Sequence, residues 1–387
     1  MAFQPIYPTY FIMEIPFNKP YLTGKETHYI YQAVSSGKIS GNGLFTQKCQ
    51  RFFEDKYGFR KTLLTTSCTD ALEMCAILCN IGAGDEVIVP SYTFVSTALA
   101  FVRQGAKIVF ADSYAEQPNI DPATLESLIT PNTKVLVVVH YAGVACDMDK
   151  IMDIANRNNL LVVEDAAQAI DSYYKGRALG SIGQLATFSF HETKNVIAGE
   201  GGLLVINDEQ FIHRAEIIWE KGTNRAEFFR GAVNKYGWVD TGSSFLPSEI
   251  VAAFLLAQLE NLDMIQAKRK TLWDTYYRLL KPLADTGRFT LPVIPDYATN
   301  NAHMFYLVCN NLEERTTLIE MLKQHDVGAV FHYLSLHNSP YYHDKHDGRP
   351  LPHSNRYTEC LVRLPMYFEL ETQDVHYICS LIAGIAK

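Results

Sequence analysis

The chain has 387 residues, 48% hydrophobic and 20% charged, which is too long for one small domain and predicts two unequal ones. A formal net charge of −8 and a pI near 5.8 disfavour broad nucleic-acid binding through a basic surface and leave room only for a local basic pocket. No apolar run is long enough to span a bilayer, so no membrane partner is expected.

The first fourteen residues, MAFQPIYPTYFIME, are apolar and aromatic. They lack a basic leading region and are broken by Pro5 and Pro8, so they read poorly as a secretion signal. They are taken as an extension of unassigned role, with the folded chain starting near Ile15. Seven β-rich runs follow: Lys61–Leu64, Glu86–Val89, Lys107–Phe110, Lys134–Val139, Leu160–Val163, Leu185–Phe190 and Leu203–Ile206. Helices are expected from Thr69 and from about Phe94. Strands alternating with helices imply an α/β class with a mostly parallel, buried, seven-stranded sheet flanked by helices.

From Ser248 to Leu283 the pattern is helical, with apolar residues at Ile250, Ala253, Phe254, Ala257 and Leu262. This stretch is expected to link a large domain, 1–263, to a smaller α+β domain, 264–387. In the latter, Phe305–Val308 and Val327–Phe331 predict strands, and Leu312–Gln324 and Gln373–Ala386 predict helices. His343–His353 is polar and reads as a surface loop; its loosely spaced histidines argue for solvation over a metal. The eight cysteines form no C-x-x-C pair and suit buried free thiols in a reducing cytoplasm.

Ligands of such sheets bind at the carboxyl ends of strands. Thr65–Thr69, Pro90–Phe94, His140–Gly143, Asp165–Gln168 and Ser189–Lys194 all fall there. One strand, Val162-Val163-Glu164-Asp165, ends in an acid. The next ends in Ser189 and, within FSFHETKN, Lys194, followed by the tight turn Gly199-Glu200-Gly201-Gly202. An acid and a lysine so placed are what pyridoxal phosphate requires. The lysine attacks the cofactor aldehyde as a neutral amine and later moves a proton, and burial beside a cationic ring lowers its pKa for both tasks. The acid keeps the pyridine nitrogen protonated, so that the ring accepts electrons. An ion pair at about 4 Å with an effective dielectric near 20 is worth about 4 kcal/mol, enough to raise a pyridinium pKa by roughly three.

Each residue alone has a plainer reading: Lys194 as a surface lysine, Asp165 as a helix N-cap, Phe94 as a core aromatic. Together they take complementary roles. The strand-to-helix turn Thr65–Leu72 offers free N–H groups and a helix dipole to a phosphate, with the Thr69 and Ser189 hydroxyls beside it. Phe94 is placed to cover the ring, and Gln168 to reach the phenolic oxygen. His191-Glu192 opens like a zinc-protease motif but lacks the second histidine, and no phosphate-binding P-loop or G-x-G-x-x-G occurs.

With those residues in view, the chain resembles the DegT/StrS group of sugar-nucleotide aminotransferases, of the fold-type I pyridoxal phosphate superfamily, from about Ile15 to the carboxyl terminus. The matching segments are PSYTFVSTA (Pro90–Ala98), VEDAAQ (Val163–Gln168), FSFHETKN (Phe188–Asn195), GEGG (Gly199–Gly202) and FHYLSLH (Phe331–His337). HYAGVACDMD (His140–Asp149), EKGTNRAEFFRG (Glu220–Gly231) and DTGSSF (Asp240–Phe245) resemble most the branch acting on C4 of dTDP-4-keto-6-deoxyglucose with L-glutamate as donor. The resemblance implies that Lys194 carries the cofactor, Asp165 binds its ring nitrogen, and Thr69, the Asp70 amide and Ser189 hold its phosphate. It implies that His332 and Tyr333 reach the sugar nucleotide across the interface of a homodimer.

Many relatives carry an asparagine near position 244 that crosses to the partner's cofactor phosphate, with an arginine nearby. This chain has Ser243-Ser244-Phe245-Leu246. Ser244 keeps one hydrogen-bond donor, but Leu246 cannot bind a diphosphate. Lys221, Arg225, Arg230 and Lys235 lie just upstream, and Lys221 and Arg230 are candidates to bind the dianionic nucleotide; a solvated basic loop is the alternative. Relatives with histidine in place of the lysine are dehydratases, so Lys194 favours transamination. Transfer to a 3-keto sugar, or to a GDP- or UDP-linked one, stays open on sequence grounds.

Overall fold

The computed structural model describes residues 14–384. The amino-terminal extension, save Glu14, lies outside the described residues, as do residues 385–387, where the sequence predicts the last residues of the closing helix. In chain order the elements are α1 (Glu26–Ser35), α2 (Leu44–Tyr57), β1 (Lys61–Thr65), α3 (Cys68–Leu78), β2 (Glu86–Pro90), α4 (Val95–Val102), β3 (Lys107–Ala111), β4 (Thr133–Val139), α5 (Met148–Arg157) and β5 (Leu161–Asp165). A small hairpin, β6 (Tyr173–Tyr174) and β7 (Arg177–Ala178), precedes β8 (Leu185–Ser189) and β9 (Gly202–Ile206). Then come α6 (Ile212–Trp219), α7 (Arg225–Phe229), α8 (Glu249–Leu259) and α9 (Leu262–Ala284). The chain continues through β10 (Phe289–Thr290), β11 (Phe305–Cys309), α10 (Leu312–Gln324), α11 (Pro352–Cys360), β12 (Leu361–Leu364) and α12 (Thr372–Gly384).

All seven expected strands form, and they make one sheet in the order β1-β9-β8-β5-β4-β2-β3. The β3–β2, β2–β4, β4–β5 and β5–β8 pairings are parallel, while β9 runs antiparallel to both neighbours. Successive strand residues point to opposite faces, so both faces need cover. Ile88, Leu136, Val138, Val162 and Val205 pack towards α2 and α8 through Phe53, Ala253 and Leu256. Val87, Val137, Val163 and Leu204 pack the other way, against Leu72, Cys75, Phe101 and Ile218. The expected 248–283 helical stretch is two helices, α8 and α9, meeting at 60°. Glu249, in the first turn of α8, is buried and accepts the Gly43, Phe45 and Thr46 N–H groups at 2.9, 2.7 and 3.1 Å, so it caps the start of α2 from outside. Among the described residues no single helix is long and apolar enough to cross a membrane.

A second, antiparallel sheet, β10-β11-β12, packs on α9 and α12 through Tyr276, Phe305, Leu307 and Ile378. The expected strand Val327–Phe331 is not one. Its pairing is split between two partners, with Val327 bridging Ile15 and Val330 bridging Arg363. The 343–353 stretch holds a 3-10 turn, His343–Lys345, and its end opens α11. The eight cysteines are free thiols, seven of them buried.

One glycine positions the site. Gly202 begins β9 in register with both Thr65 and Ser189. A Cβ built there would lie 2.4 Å from the Ser67 carbonyl and 2.5 Å from the Cys68 nitrogen, so the missing side chain lets α3 begin directly against the sheet. Gly202→Ala is expected to cost about 1–3 kcal/mol, as overpacking does, and to displace the start of α3. Denaturant unfolding of the ligand-free protein tests this; an unchanged midpoint would show that α3 moves freely.

Candidate active site

Four segments converge on a cavity of about 540 Å³ at the carboxyl edge of the large sheet. Ser67, Cys68 and Thr69 enter from the start of α3, and Thr93, Phe94 and Ser96 from the turn after β2 and the first turn of α4. Asp165 and Gln168 follow β5, and Ser189 and Lys194 follow β8. His303, Met304, His332, Tyr333 and Arg363 close the opposite wall.

Asp165 is buried at the last position of β5. Its Oδ2 accepts from Thr97 Oγ1 at 2.7 Å and its Oδ1 from the Ala167 N–H at 3.2 Å. Thr97 is held in turn by Thr93 at 2.9 Å. Burial pushes the Asp165 carboxyl above the ordinary aspartate value, against the Thr97 and Ala167 hydrogen bonds and the Lys194 charge. Burial likewise pulls the Lys194 amine below the ordinary lysine range, with Arg363 adding to the effect and Cys68 and Asp165 opposing it. A buried acid wants a cation and a buried lysine tends to the neutral form, which is the electronic pair the sequence predicts.

Below Asp165, the adjacent Glu164 is fully buried. It accepts from the Gly180, Ile182 and Gly183 N–H groups at 2.8, 2.7 and 2.6 Å, and meets His140 Nε2 at 2.9 Å. His140 Nδ1 accepts the Cys146 N–H at 3.2 Å, so the imidazole proton sits on Nε2 and points to Glu164. Burial would raise Glu164, but His140 and the glycine amides outweigh it and hold the carboxylate below its usual range. Glu164 thus ties the turn after β5 to the loop before β8, and that brace fixes where Asp165 emerges.

Gln168 is buried between two partners: its Oε1 accepts the Ala142 N–H at 2.6 Å and its Nε2 donates to Tyr333 Oη at 2.8 Å. Ala142 adopts a left-handed φ of 56°, a local strain that aims its N–H at Gln168. His332 Nδ1 meets Tyr141 Oη at 2.7 Å. The chain therefore brings its own His332 and Tyr333 to its own Lys194, with no subunit boundary crossed. Phe94 stands at the mouth, 55% exposed, with its ring 6.1 Å from that of Tyr333.

At α3 the expectation needs one correction. The Asp70 N–H, expected to bind phosphate, donates to the N-cap Ser67 Oγ at 3.1 Å, and the Asp70 carboxylate takes the Thr66 hydroxyl. The Cys68 and Thr69 N–H groups, also in the first turn, have no acceptor within the helix. Thr69 Oγ1 meets Ser96 Oγ at 2.7 Å in the cavity wall. At this end of the cavity the 67–69 turn, Ser96 and Ser189 therefore present the donors, one residue earlier than the Asp70 amide that the sequence indicated. Ser244, Lys221 and Arg230 do not line this chain's cavity. All three are exposed, Ser244 bridging Glu220 and Arg230 pairing with Glu216 at 2.8 Å.

Sequence reasoning missed His303 and Arg363. His303 Nδ1 meets Asn195 Oδ1 at 2.9 Å, and Asn195 Nδ2 donates to Gln266 and to the Asn301 carbonyl at 2.7 and 2.9 Å. That network clamps the residue after Lys194. Arg363 is the single charge inside the apolar run Cys360–Met366, a signal that a charge-in-strand search would have caught.

The residues fit pyridoxal phosphate. A buried carboxylate with only neutral hydrogen-bond donors suits a pyridinium, and a depressed lysine suits an aldehyde. Unpaired N–H groups at a helix start suit a phosphate, and an exposed phenyl face suits a ring.

Comparison with known proteins agrees. The model of the DegT/DnrJ/EryC1/StrS aminotransferase family matches residues 20–383. The chain belongs to that family. GDP-perosamine synthase of Caulobacter vibrioides is 34% identical, over 86% of this chain and 86% of that protein. The spore coat polysaccharide biosynthesis protein SpsC of Bacillus subtilis is 31% identical, over 96% of this chain and 97% of that protein. Among solved structures, Spr1654 of Streptococcus pneumoniae, described as a sugar aminotransferase, is 26% identical with a TM-score of 0.88 in both its PLP and PMP forms, over 96% of this chain and 98% of that one.

The raised Asp165 of this aminotransferase carries a stability prediction. Its folded pKa lies above the unfolded one, so the folded protein holds the extra proton between the two. Ligand-free stability therefore falls as pH rises through that window and is flat above the folded pKa. Asp165→Asn should remove this slope and leave the ligand-free protein at least as stable at neutral pH, while cofactor affinity drops at least tenfold. Thermal unfolding across pH, with and without cofactor, checks both halves.

Proposed function

We propose that this aminotransferase moves the amino group of L-glutamate to C4 of dTDP-4-keto-6-deoxyglucose, giving dTDP-4-amino-4,6-dideoxygalactose for a surface polysaccharide. Pyridoxal phosphate is the cofactor; when bound it supplies an electron sink for the carbon that loses its proton. The observation that carries the reading is Lys194, half-buried in the same cavity as Asp165 and biased towards its neutral form.

Each residue of the chain has a task. With the cofactor bound, Lys194 Nζ would anchor it and would carry the proton that leaves the donor carbon. Asp165 keeps the ring nitrogen protonated, with Thr97 and Ala167 fixing its orientation. Ser67, Thr69, Ser96 and Ser189 hold the phosphate, and Phe94 covers the ring. Tyr333, tied to Gln168, and His332, tied to Tyr141, face the sugar.

Support for the dTDP sugar comes from the likeness of segments 140–149, 220–231 and 240–245 to that branch. Lys221, Arg230 and Ser244 are read as serving the cavity of a second subunit in a homodimer. Their exposure supports this, as do the neighbouring apolar Phe229 and Trp238, 70% and 85% exposed. A GDP-linked sugar is the second reading, because GDP-perosamine synthase is among the similar proteins.

The test supplies L-glutamate with the dTDP- or GDP-linked 4-keto-6-deoxy sugar and identifies the product by NMR. A galacto-configured dTDP-4-amino sugar is expected; preference for the GDP substrate would replace the first reading with the second. Lys194→Ala should reduce turnover by more than about 10⁴-fold, since anchor and proton carrier are lost together. Substantial turnover by that variant would refute the mechanism.

A further inference from the structure

His303 presents to the cavity a nitrogen whose hydrogen-bonding role its neighbours have already decided. The network starts from the backbone carbonyl of Asn301, a fully buried residue. A carbonyl only accepts, and this one takes hydrogens from Asn195 Nδ2 at 2.9 Å and Gln266 Nε2 at 3.3 Å. Asn195 Nδ2 gives its other hydrogen to Gln266 Oε1 at 2.7 Å. Both amides are therefore oriented, and Asn195 Oδ1 is the atom left facing His303 Nδ1, at 2.9 Å. An amide oxygen also only accepts, so the imidazole carries its hydrogen on Nδ1 and a lone pair on Nε2. The main chain of His303 is pinned as well: its N–H donates to Asn301 Oδ1 at 3.0 Å, and its carbonyl accepts from Arg269 Nη2 at 2.6 Å. With Nδ1 turned to Asn195, Nε2 is the nitrogen left for the cavity, and it has no partner among the described residues.

Lys194 is the side chain best placed to use that lone pair. It lines the same cavity, its Nζ also lacks a partner among the described residues, and the residue after it, Asn195, is the one His303 holds. After burial, the Lys194 charge is the largest influence on the imidazole, ahead of Arg269 and Arg363. From this juxtaposition, and resting on the transaminase reading, we infer that His303 is a positioning residue: its Nε2 accepts a hydrogen from the free Lys194 amine and so fixes where the amine's lone pair points.

A free lysine amine turns about a flexible four-carbon stem, and its lone pair can take the donor carbon's proton along only one direction. Misplacing a reacting atom by about 1 Å can cost about 10²-fold in rate. A fixed acceptor in the wall removes most of that freedom. A carboxylate there would do so too, but it would favour the ammonium form and raise the lysine pKa. The imidazole of His303 carries no such charge. Burial holds it well below the usual histidine range, and the Lys194, Arg269 and Arg363 charges act in the same direction. It therefore orients the amine without competing for the proton, which stays on Nζ for the step that returns it.

Two variants separate positioning from packing, because the side-chain amide of asparagine overlays Nδ1 and that of glutamine overlays Nε2. In the cofactor-loaded enzyme, His303→Asn should keep the Asn195 contact, the cofactor absorption band and the thermal midpoint. Loss of the α-proton of L-glutamate, followed as bleaching of that band, should slow about 10- to 100-fold. The isotope effect with α-deuterated L-glutamate should rise, while glutamate affinity changes less than about threefold. His303→Gln should do the reverse, losing stability and keeping more of the rate. Rate and stability lost together in both variants would overturn the inference, as would proton loss at the parent's rate in His303→Asn. Nitrogen NMR of the cofactor-loaded parent, labelled in its histidines, adds a readout that does not depend on turnover. The His303 signal, assigned by its absence from His303→Asn, should show the hydrogen on Nδ1; a hydrogen on Nε2 would equally overturn the inference. If the parent takes up cofactor yet does not respond to L-glutamate, the transaminase reading falls and this one with it. A responsive parent with an indifferent His303→Asn variant sinks only the role of His303.

Discussion

Asp165 places a carboxylate at the end of a buried strand with only a hydroxyl and an amide for company. Stripping an ion of water in such a place costs several kcal/mol unless a cation answers it. The sheet topology supplies the answer. β5 and β8 are parallel neighbours, with Asp165 opposite Thr187, so both chains leave the sheet at the same edge. That is why the segment after β8 brings Lys194 to the cavity that holds Asp165. Had β8 run the other way, the lysine would emerge at the far edge. The antiparallel return of β9 then sets Gly202 beneath the start of α3, so the start of that helix opens on the same cavity. One register of one sheet thus fixes acid, amine and anion site together.

The large sheet was legible because parallel strands covered on both faces read as unbroken apolar runs, and Lys194 and Asp165 stood out where such runs stop. The errors fall where tertiary contacts override local pattern. Val327–Phe331 has strand-like composition, but its hydrogen bonds are divided between Ile15 and Arg363, and no ladder grows from single bridges. The Asp70 N–H was a plausible phosphate donor until the neighbouring Ser67 claimed it. Nothing local to residue 70 decides which of the two acceptors wins. Arg363 and His303 come from elements far along the chain and gain meaning only when the small sheet folds against the large one. Lys221, Arg230 and Ser244 face outward, with Arg230 paired to Glu216 and Ser244 bridged to Glu220, contacts that the local pattern does not encode.

The chain as a whole is acidic, yet its cavity is not. Arg363 is the guanidinium of its wall and Lys194 an amine biased towards its neutral form, set against Asp165 within and Glu200 at the exposed rim. Fields in a low-dielectric cleft are focused, so a few charges there outweigh many on the surface. The cofactor of this family is phosphorylated and its sugar substrates carry a nucleotide diphosphate, so both are anions. The negative surface does not forbid them, because surface charges beyond about a Debye length, ~8 Å at physiological salt, are largely screened.

A transaminase of sugars must hold two unlike molecules in one place, an acidic amino acid and a hydroxyl-rich ring. Fixed charge suits the first and would be wasted on the second. The histidines of the cavity wall answer that difference by staying neutral. Burial holds His332 well below the usual histidine range, helped by the charges of Arg363 and Lys194, and burial lowers His303 in the same way. A neutral imidazole has one donor and one acceptor, and a tyrosine hydroxyl rotates to be either. The Tyr141–His332 pair can therefore exchange roles, while Tyr333 Oη, accepting from the Gln168 amide, keeps its own hydrogen to donate. A protonated His332 would offer only donors and would add a second cation beside Arg363. Such a wall would bind the acidic donor more tightly and release its keto acid more slowly. The depressed histidines are thus the counterpart of the unpaired arginine: one fixed charge stands in a wall whose imidazoles are kept neutral.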